Sequence, residues 1–95
     1  MDKRKNPVDK EVLRQQRIAF YEAVERGELS LRDAARQMRA LSRLTQPEFA
    51  AHRGVSVKVI KDLERGTGNP TQSSLNQIGS IFGLEVGWIR KQKVE

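Results

Sequence analysis

The chain has 95 residues, with eighteen Lys and Arg against twelve Asp and Glu, a net charge of +6 and a pI near 10.2. At this length one domain is expected, burying about 60–65% of its unfolded surface, so that pairing with a second copy would add useful stability. The absence of cysteine excludes disulfides and thiolate metal sites, and no apolar run approaches the roughly 20 residues that span a bilayer.

Residues 1–8 are charged and contain Asn6-Pro7, which reads as a disordered basic lead-in. No apolar run follows the charges of MDKRKNPVDK, so no signal peptide is read and a cytoplasmic, nucleoid-associated location is expected. From about Asp9 the spacing of Leu13, Phe20 and Val24, with Val12 and Tyr21 beside them, predicts a helix that stops at Gly27. Residues 9–29 are read as an N-terminal helical extension. Ser30 caps the next helix, with Asp33 three residues on as a short-armed capping box, and Leu31, Ala34, Ala35, Met38 and Leu41 form its apolar stripe.

Thr45-Gln-Pro-Glu48 is a T-x-x-E capping box with Pro47 in the first turn, where its missing N–H costs little. That helix carries Phe49, Ala50 and Ala51 and ends at Gly54. The single histidine, His52, lies beside Arg53 with no acidic neighbour in sequence, and reads as a surface residue and not a catalytic one. Neither an enzyme nor a bound metal or cofactor is expected. Ser56 caps a helix over residues 57–65, where Val59, Ile60 and Leu63 point one way and Lys58, Lys61, Asp62 and Arg65 point others. After Gly66 comes the loop TGNPT, then a short helix with Leu75, Ile78, Ile81 and Phe82 as its stripe and Gly83 at its end. The tail, residues 84–95, changes character. Leu84, Val86 and Trp88 alternate with Glu85, Gly87 and Ile89, which predicts either a strand paired with a symmetry mate or a short helix with Trp88 packed on the core.

Two helices that meet across a glycine and one or two further residues have the spacing of a helix-turn-helix. The turn must leave the first helix through a positive φ, where a Cβ would clash, and Ala50 and Ala51 suit a tight crossing. A generic helical hairpin shows the same spacing. The wider pattern is more specific: ARQMRALSRLTQPEFAAHRGVS, VIKDLERGTGNP and SLNQIGSIFGL, covering residues 35–83 and ending one residue on at Leu84, resemble the Cro/C1-type, or XRE, family of repressor-like domains. The resemblance implies an all-α, lambda-repressor-like domain of four to five helices over residues 30–83. To this the chain adds the extra N-terminal helix and the candidate C-terminal strand.

The resemblance also implies a homodimer on double-stranded DNA at a pseudo-palindromic operator, with residues 57–65 as the recognition helix. Carried over residue by residue, Gln46 and the start of its helix would bind a phosphate. Ser56, Val57, Lys58 and Asp62 would face base edges or flanking phosphates, and Lys61 would reach backbone. Thr67 and Asn69 would grip the sugar–phosphate chain, while Arg39 and Glu64 would form a structural salt bridge. Lys58 can donate to guanine O6 and N7 and Val57 can touch a thymine methyl, yet the surface lacks a Gln, Asn or Arg for bidentate readout. Moderate specificity with a share of shape readout is the expectation. The G-L-x-V segment at the start of the tail resembles that of HipB-type antitoxins, which bind a cognate toxin and repress their own operon. On that reading Val86, Trp88 and Phe20 are candidate dimer or partner contacts. The rival is a protein-interaction adaptor with a repressor-like fold that does not read DNA, favoured by Asp62 and the missing bidentate readers.

Overall fold

The computed structural model describes residues 9–90; the lead-in at 1–8 and the last five residues of the tail lie outside the described residues. Five α-helices and a 3-10 turn follow one another: α1 (Lys10–Glu25), α2 (Leu31–Ser42), α3 (Gln46–Arg53), α4 (Val57–Arg65), α5 (Gln72–Gly79), and the turn Ser80–Phe82. The fold is all-α and lambda-repressor-like, with no strand among the described residues.

Both ends of each helix are legible in chemical terms. Asp9, Ser30, Thr45, Ser56 and Thr71 stand at the N-caps in extended conformation, and each side chain accepts from an amide two or three residues on. Each such bond satisfies an otherwise orphaned donor and contributes about 0.5–2 kcal/mol. At Thr45 the box is reciprocal: the Glu48 amide donates to Thr45 Oγ1 (3.3 Å) and the Thr45 amide to Glu48 Oε1 (2.9 Å). At Ser30 the hydroxyl accepts from the Asp33 amide at 3.0 Å, and the shorter Asp33 side chain lies beside Arg32 instead of reaching back. At its C-terminus α2 ends on Arg43, a non-glycine residue held at φ 58°, whose amide and that of Leu44 close onto the Ala40 and Arg39 carbonyls. That left-handed conformation costs about 1 kcal/mol for a residue with a Cβ.

The core gathers Phe20 from α1, Ala35, Met38 and Leu41 from α2, Phe49 and Ala50 from α3, Ile60 and Leu63 from α4, Ile78 from α5, and Phe82. Phe20, expected as a dimer or partner contact, is only 1% exposed. Its ring meets those of Tyr21 and Phe82 edge-on, each at 5.6 Å between centroids, and the Tyr21 hydroxyl donates to the Phe82 carbonyl at 2.8 Å. The helix read as an extension therefore supplies a wall of the core. Two further positions depart from the predicted stripes: Leu31 is exposed in the first turn of α2, and Ile81 is exposed because the chain tightens from α5 into a 3-10 turn and shifts phase.

Arg53 is the buried cation of the domain. Its guanidinium lies 4.4 Å from the Phe49 ring centroid, donates through Nε to the Ile78 carbonyl at 3.0 Å, and pairs with the His52 ring at 2.6 Å. It therefore ties α3 to α5. Burial pushes its pKa down from the usual arginine value. His52 itself is exposed.

Of the two expectations made for the tail, the short helix with Trp88 packed on the core is corrected over residues 84–90, while the strand paired with a symmetry mate concerns a second copy. Residues 84–90 form neither strand nor helix. A strand has no edge to pair with in one copy of an all-helical domain, and the Val86 amide donates instead to Asn76 Oδ1 on α5 at 2.8 Å. Trp88 does not pack on the core: it is 103% exposed, and Ile89 beside it is exposed too. No helix among the described residues is long and apolar enough to cross a membrane.

Candidate nucleic-acid interface

Helices α3 and α4 are joined by Gly54, Val55 and Ser56. Gly54 adopts φ 72°. Its amide closes on the Ala51 carbonyl at 3.3 Å and the Val55 amide on Ala50 at 3.1 Å, so both orphaned carbonyls are satisfied by the turn itself. Ser56 then starts α4, its hydroxyl accepting from the Val59 amide at 3.2 Å. Ala50 is buried at the crossing, whereas Ala51 faces solvent. The inward side of α4 carries Ile60, Leu63 and Glu64, all buried; the outward side carries Ser56, Val57, Lys58 and Lys61, all exposed.

What fixes the pitch of α4 is a polar clamp. Arg39 of α2 meets Glu64 in a bidentate pair, Nε to Oε2 at 2.7 Å and Nη2 to Oε1 at 2.9 Å, and a third donor reaches the Leu44 carbonyl at 3.1 Å. Gln46, half-buried at the start of α3, adds its amide to Glu64 Oε1 at 3.2 Å. One carboxylate thus joins three helices. Burial pushes the Glu64 carboxyl up, but the bonds from Arg39 and Gln46, with the positive charges of Arg39 and Arg36, outweigh it and leave the group below its ordinary value. The Arg39 guanidinium is held above its own by the bond to Glu64. The Gln46 side-chain amide, expected on a phosphate, is turned inward to this clamp.

Asp62 is likewise engaged within the chain. It lies on the outer half of α4, yet its side chain is only 17% exposed and both oxygens are occupied, Oδ2 by Lys58 Nζ at 2.7 Å and Oδ1 by Arg65 Nη2 at 3.1 Å. Those two hydrogen bonds hold its carboxyl below the usual carboxylate range. The loop after α4 folds over it. Gly68, at φ 76°, sits so close that a Cβ there would stand 2.9 Å from Asp62 Cβ and 3.0 Å from Oδ2. Lys58, Asp62, Gly68 and Asn69 line one depression, so Asn69, expected to grip the sugar–phosphate chain, adjoins the start of α4. Thr67 donates its amide (2.8 Å) and hydroxyl (3.4 Å) to the Asp62 carbonyl, closing the helix end.

Reading the sequence missed Arg65 as a partner of Asp62 and Gln46 as a clamp on Glu64. The first was accessible, since Lys58 stands four residues before Asp62 and Arg65 three after it, on one helical face. The second joins residues 18 apart, and no local pattern announces it. Val86 is half-buried at the edge of the groove between α1, α2 and α5, and Trp88 lies beyond it in solvent.

The family model described as helix-turn-helix matches residues 36–89, more than half of the chain. Comparison with curated proteins and with solved structures gives no match. With the glycine turn, the outward polar face of α4 and that match together, the chain belongs to the Cro/C1-type helix-turn-helix family of DNA-binding regulators.

Proposed function

We propose that this protein is a sequence-specific transcriptional repressor that binds a pseudo-palindromic operator as a homodimer and acts on its own promoter. The observation that carries the reading is the division of α4 into two sides. One is anchored by Ile60, Leu63 and the Glu64 clamp; the other presents Ser56, Val57, Lys58 and Lys61 to solvent. A short helix held this firmly while its polar side stays open suits insertion into a major groove, where Lys58 would donate to guanine and Val57 would touch a thymine methyl. Thr67 and Asn69 would follow the adjoining phosphates, as would the start of α3. In the free protein both oxygens of Asp62 are already paired, with Lys58 and Arg65.

The dimer is proposed on the tail. Trp88 and Ile89, fully and largely exposed, and Val86 at the groove edge are apolar groups that a second copy would cover. In the dimer two α4 helices would lie about 34 Å apart on one face of the DNA. Service as the antitoxin of a toxin–antitoxin pair uses the same exposed tail for a protein partner, and its test is co-purification with the product of a neighbouring gene. The adaptor reading draws on the ion-paired Asp62. Selection of duplexes from a random pool distinguishes it from repression: a repressor enriches two half-sites in inverted orientation about one helical turn apart, and an adaptor enriches nothing.

A further inference from the structure

Resting on that DNA-binding reading, we infer that Asp62 is a specificity-determining residue. It is a built-in anion that occupies Lys58 and Arg65 in the free protein and makes them exchange partners before they can serve DNA. Three observations carry it. The carboxylate stands on the outer half of α4 but is tucked in, 17% exposed, with one cation on each oxygen at 2.7 and 3.1 Å. The loop is shaped around it, since the Gly68 position at φ 76° leaves no room for a Cβ beside the Asp62 side chain. The two cations themselves are largely exposed, 82% for Lys58 and 67% for Arg65, and among the described residues each is paired with Asp62.

The consequence is electrostatic. Against a random duplex, Lys58 and Arg65 trade one anionic partner for another, and the released carboxylate faces the phosphates with its own charge. The net gain from these side chains is therefore small. Against a duplex that offers Lys58 a guanine edge, the exchange adds hydrogen bonds that Asp62 cannot match. A fixed anion on the reading face thereby suppresses wrong sequences more than the right one.

The test compares wild type, Asp62→Asn and Asp62→Ser, each checked for native helix content by circular dichroism, by fluorescence anisotropy across a salt series. Two probes are used: a duplex of random sequence, and the duplex that wild type selects from a random pool. Both variants are expected to bind the random duplex about tenfold more tightly at low salt, the scale of two exposed ion pairs no longer in competition. The random-duplex slope of log K against log salt should steepen by about one, as the charge of the released carboxylate no longer offsets one phosphate contact. The gain on the selected duplex should be smaller, so the specificity ratio falls. Random-duplex affinity that is unchanged or weaker in both variants, or an unchanged ratio, overturns the inference while leaving the DNA-binding reading intact. Wild type that binds neither duplex at low salt overturns the underlying reading as well.

Discussion

Breaking the clamp between α2 and α4 from its two sides should cost unequal amounts. In Arg39→Met the Glu64 side chain, 6% exposed, keeps only the Gln46 amide and is left as a nearly unpaired buried carboxylate. Removing one partner of a buried pair costs about 3–5 kcal/mol; since Arg39 is 28% exposed and partly screened, about 2–3 kcal/mol is expected. In Glu64→Gln the freed guanidinium can take up water at its exposed edge and retain the Leu44 carbonyl, so the cost is about 1 kcal/mol. Against a domain stability of about 5–10 kcal/mol the first change is large, roughly 10–20 °C in Tm. Urea unfolding followed by circular dichroism measures both. The pH dependence supplies a second reading. The native Glu64 pKa is depressed, so wild type holds the clamp's stabilisation above the unfolded value of about 4.3 and loses it as pH falls through the folded value. In Arg39→Met burial acts largely unopposed, and protonation relieves the penalty. The gap between wild type and variant should therefore close at acid pH. A Glu64→Gln loss as large as that of Arg39→Met, or a gap that widens on acidification, would show that an unpaired buried Glu64 carboxylate is not the source of the loss.

Phe20→Ala should destabilise the domain by about 3–5 kcal/mol, because Phe20 is a core ring packed on Phe82; a change under about 1 kcal/mol would show that α1 folds apart from the rest. Gly68→Ala should cost about 1–2 kcal/mol in urea unfolding through its left-handed backbone and its contact with Asp62, and Asp62→Ser combined with it should recover part of the loss. Trp88, the single tryptophan, should emit as hydrated indole in dilute protein and shift to the blue as concentration rises and the dimer forms. Trp88→Ala should weaken dimerisation by about 2 kcal/mol or more without moving the urea midpoint of the dilute protein, and sedimentation that shows no change would remove the tail from the interface.

Much of the fold was legible because its signals are local. Capping residues at Ser30, Thr45 and Ser56 and glycines at 27, 54, 66 and 83 each act within one helical turn, and the spacing of Ile60 and Leu63 identified the inward side of α4. What escaped depends on tertiary partners or on phase. Phe20 looked like a face for another molecule because nothing near it in sequence reveals that Phe82, 62 residues away, closes over it. Ile81 fell out of its stripe when a 3-10 turn replaced an α-helical one, and Arg43 took a left-handed position usually filled by glycine. The alternation in the tail is compatible with a strand paired with a symmetry mate or with a short helix, because alternation describes a side-chain pattern and pairing needs a partner backbone, which a single copy does not supply. In the interface the residue types were legible and their engagement was not. Gln46 turns inward to Glu64, and Asp62 is satisfied by its own helix before DNA arrives.

Sequence-specific autorepression through α4 is measured by fluorescence anisotropy of the purified protein on the DNA upstream of its own gene, with excess random competitor, for wild type and Lys58→Ala. Binding on the order of nanomolar is expected to survive competitor, to fall steeply with salt, and to weaken by roughly 1–3 kcal/mol in Lys58→Ala. Binding that competitor abolishes, or an affinity that Lys58→Ala leaves unchanged, would contradict autorepression through base contacts from α4.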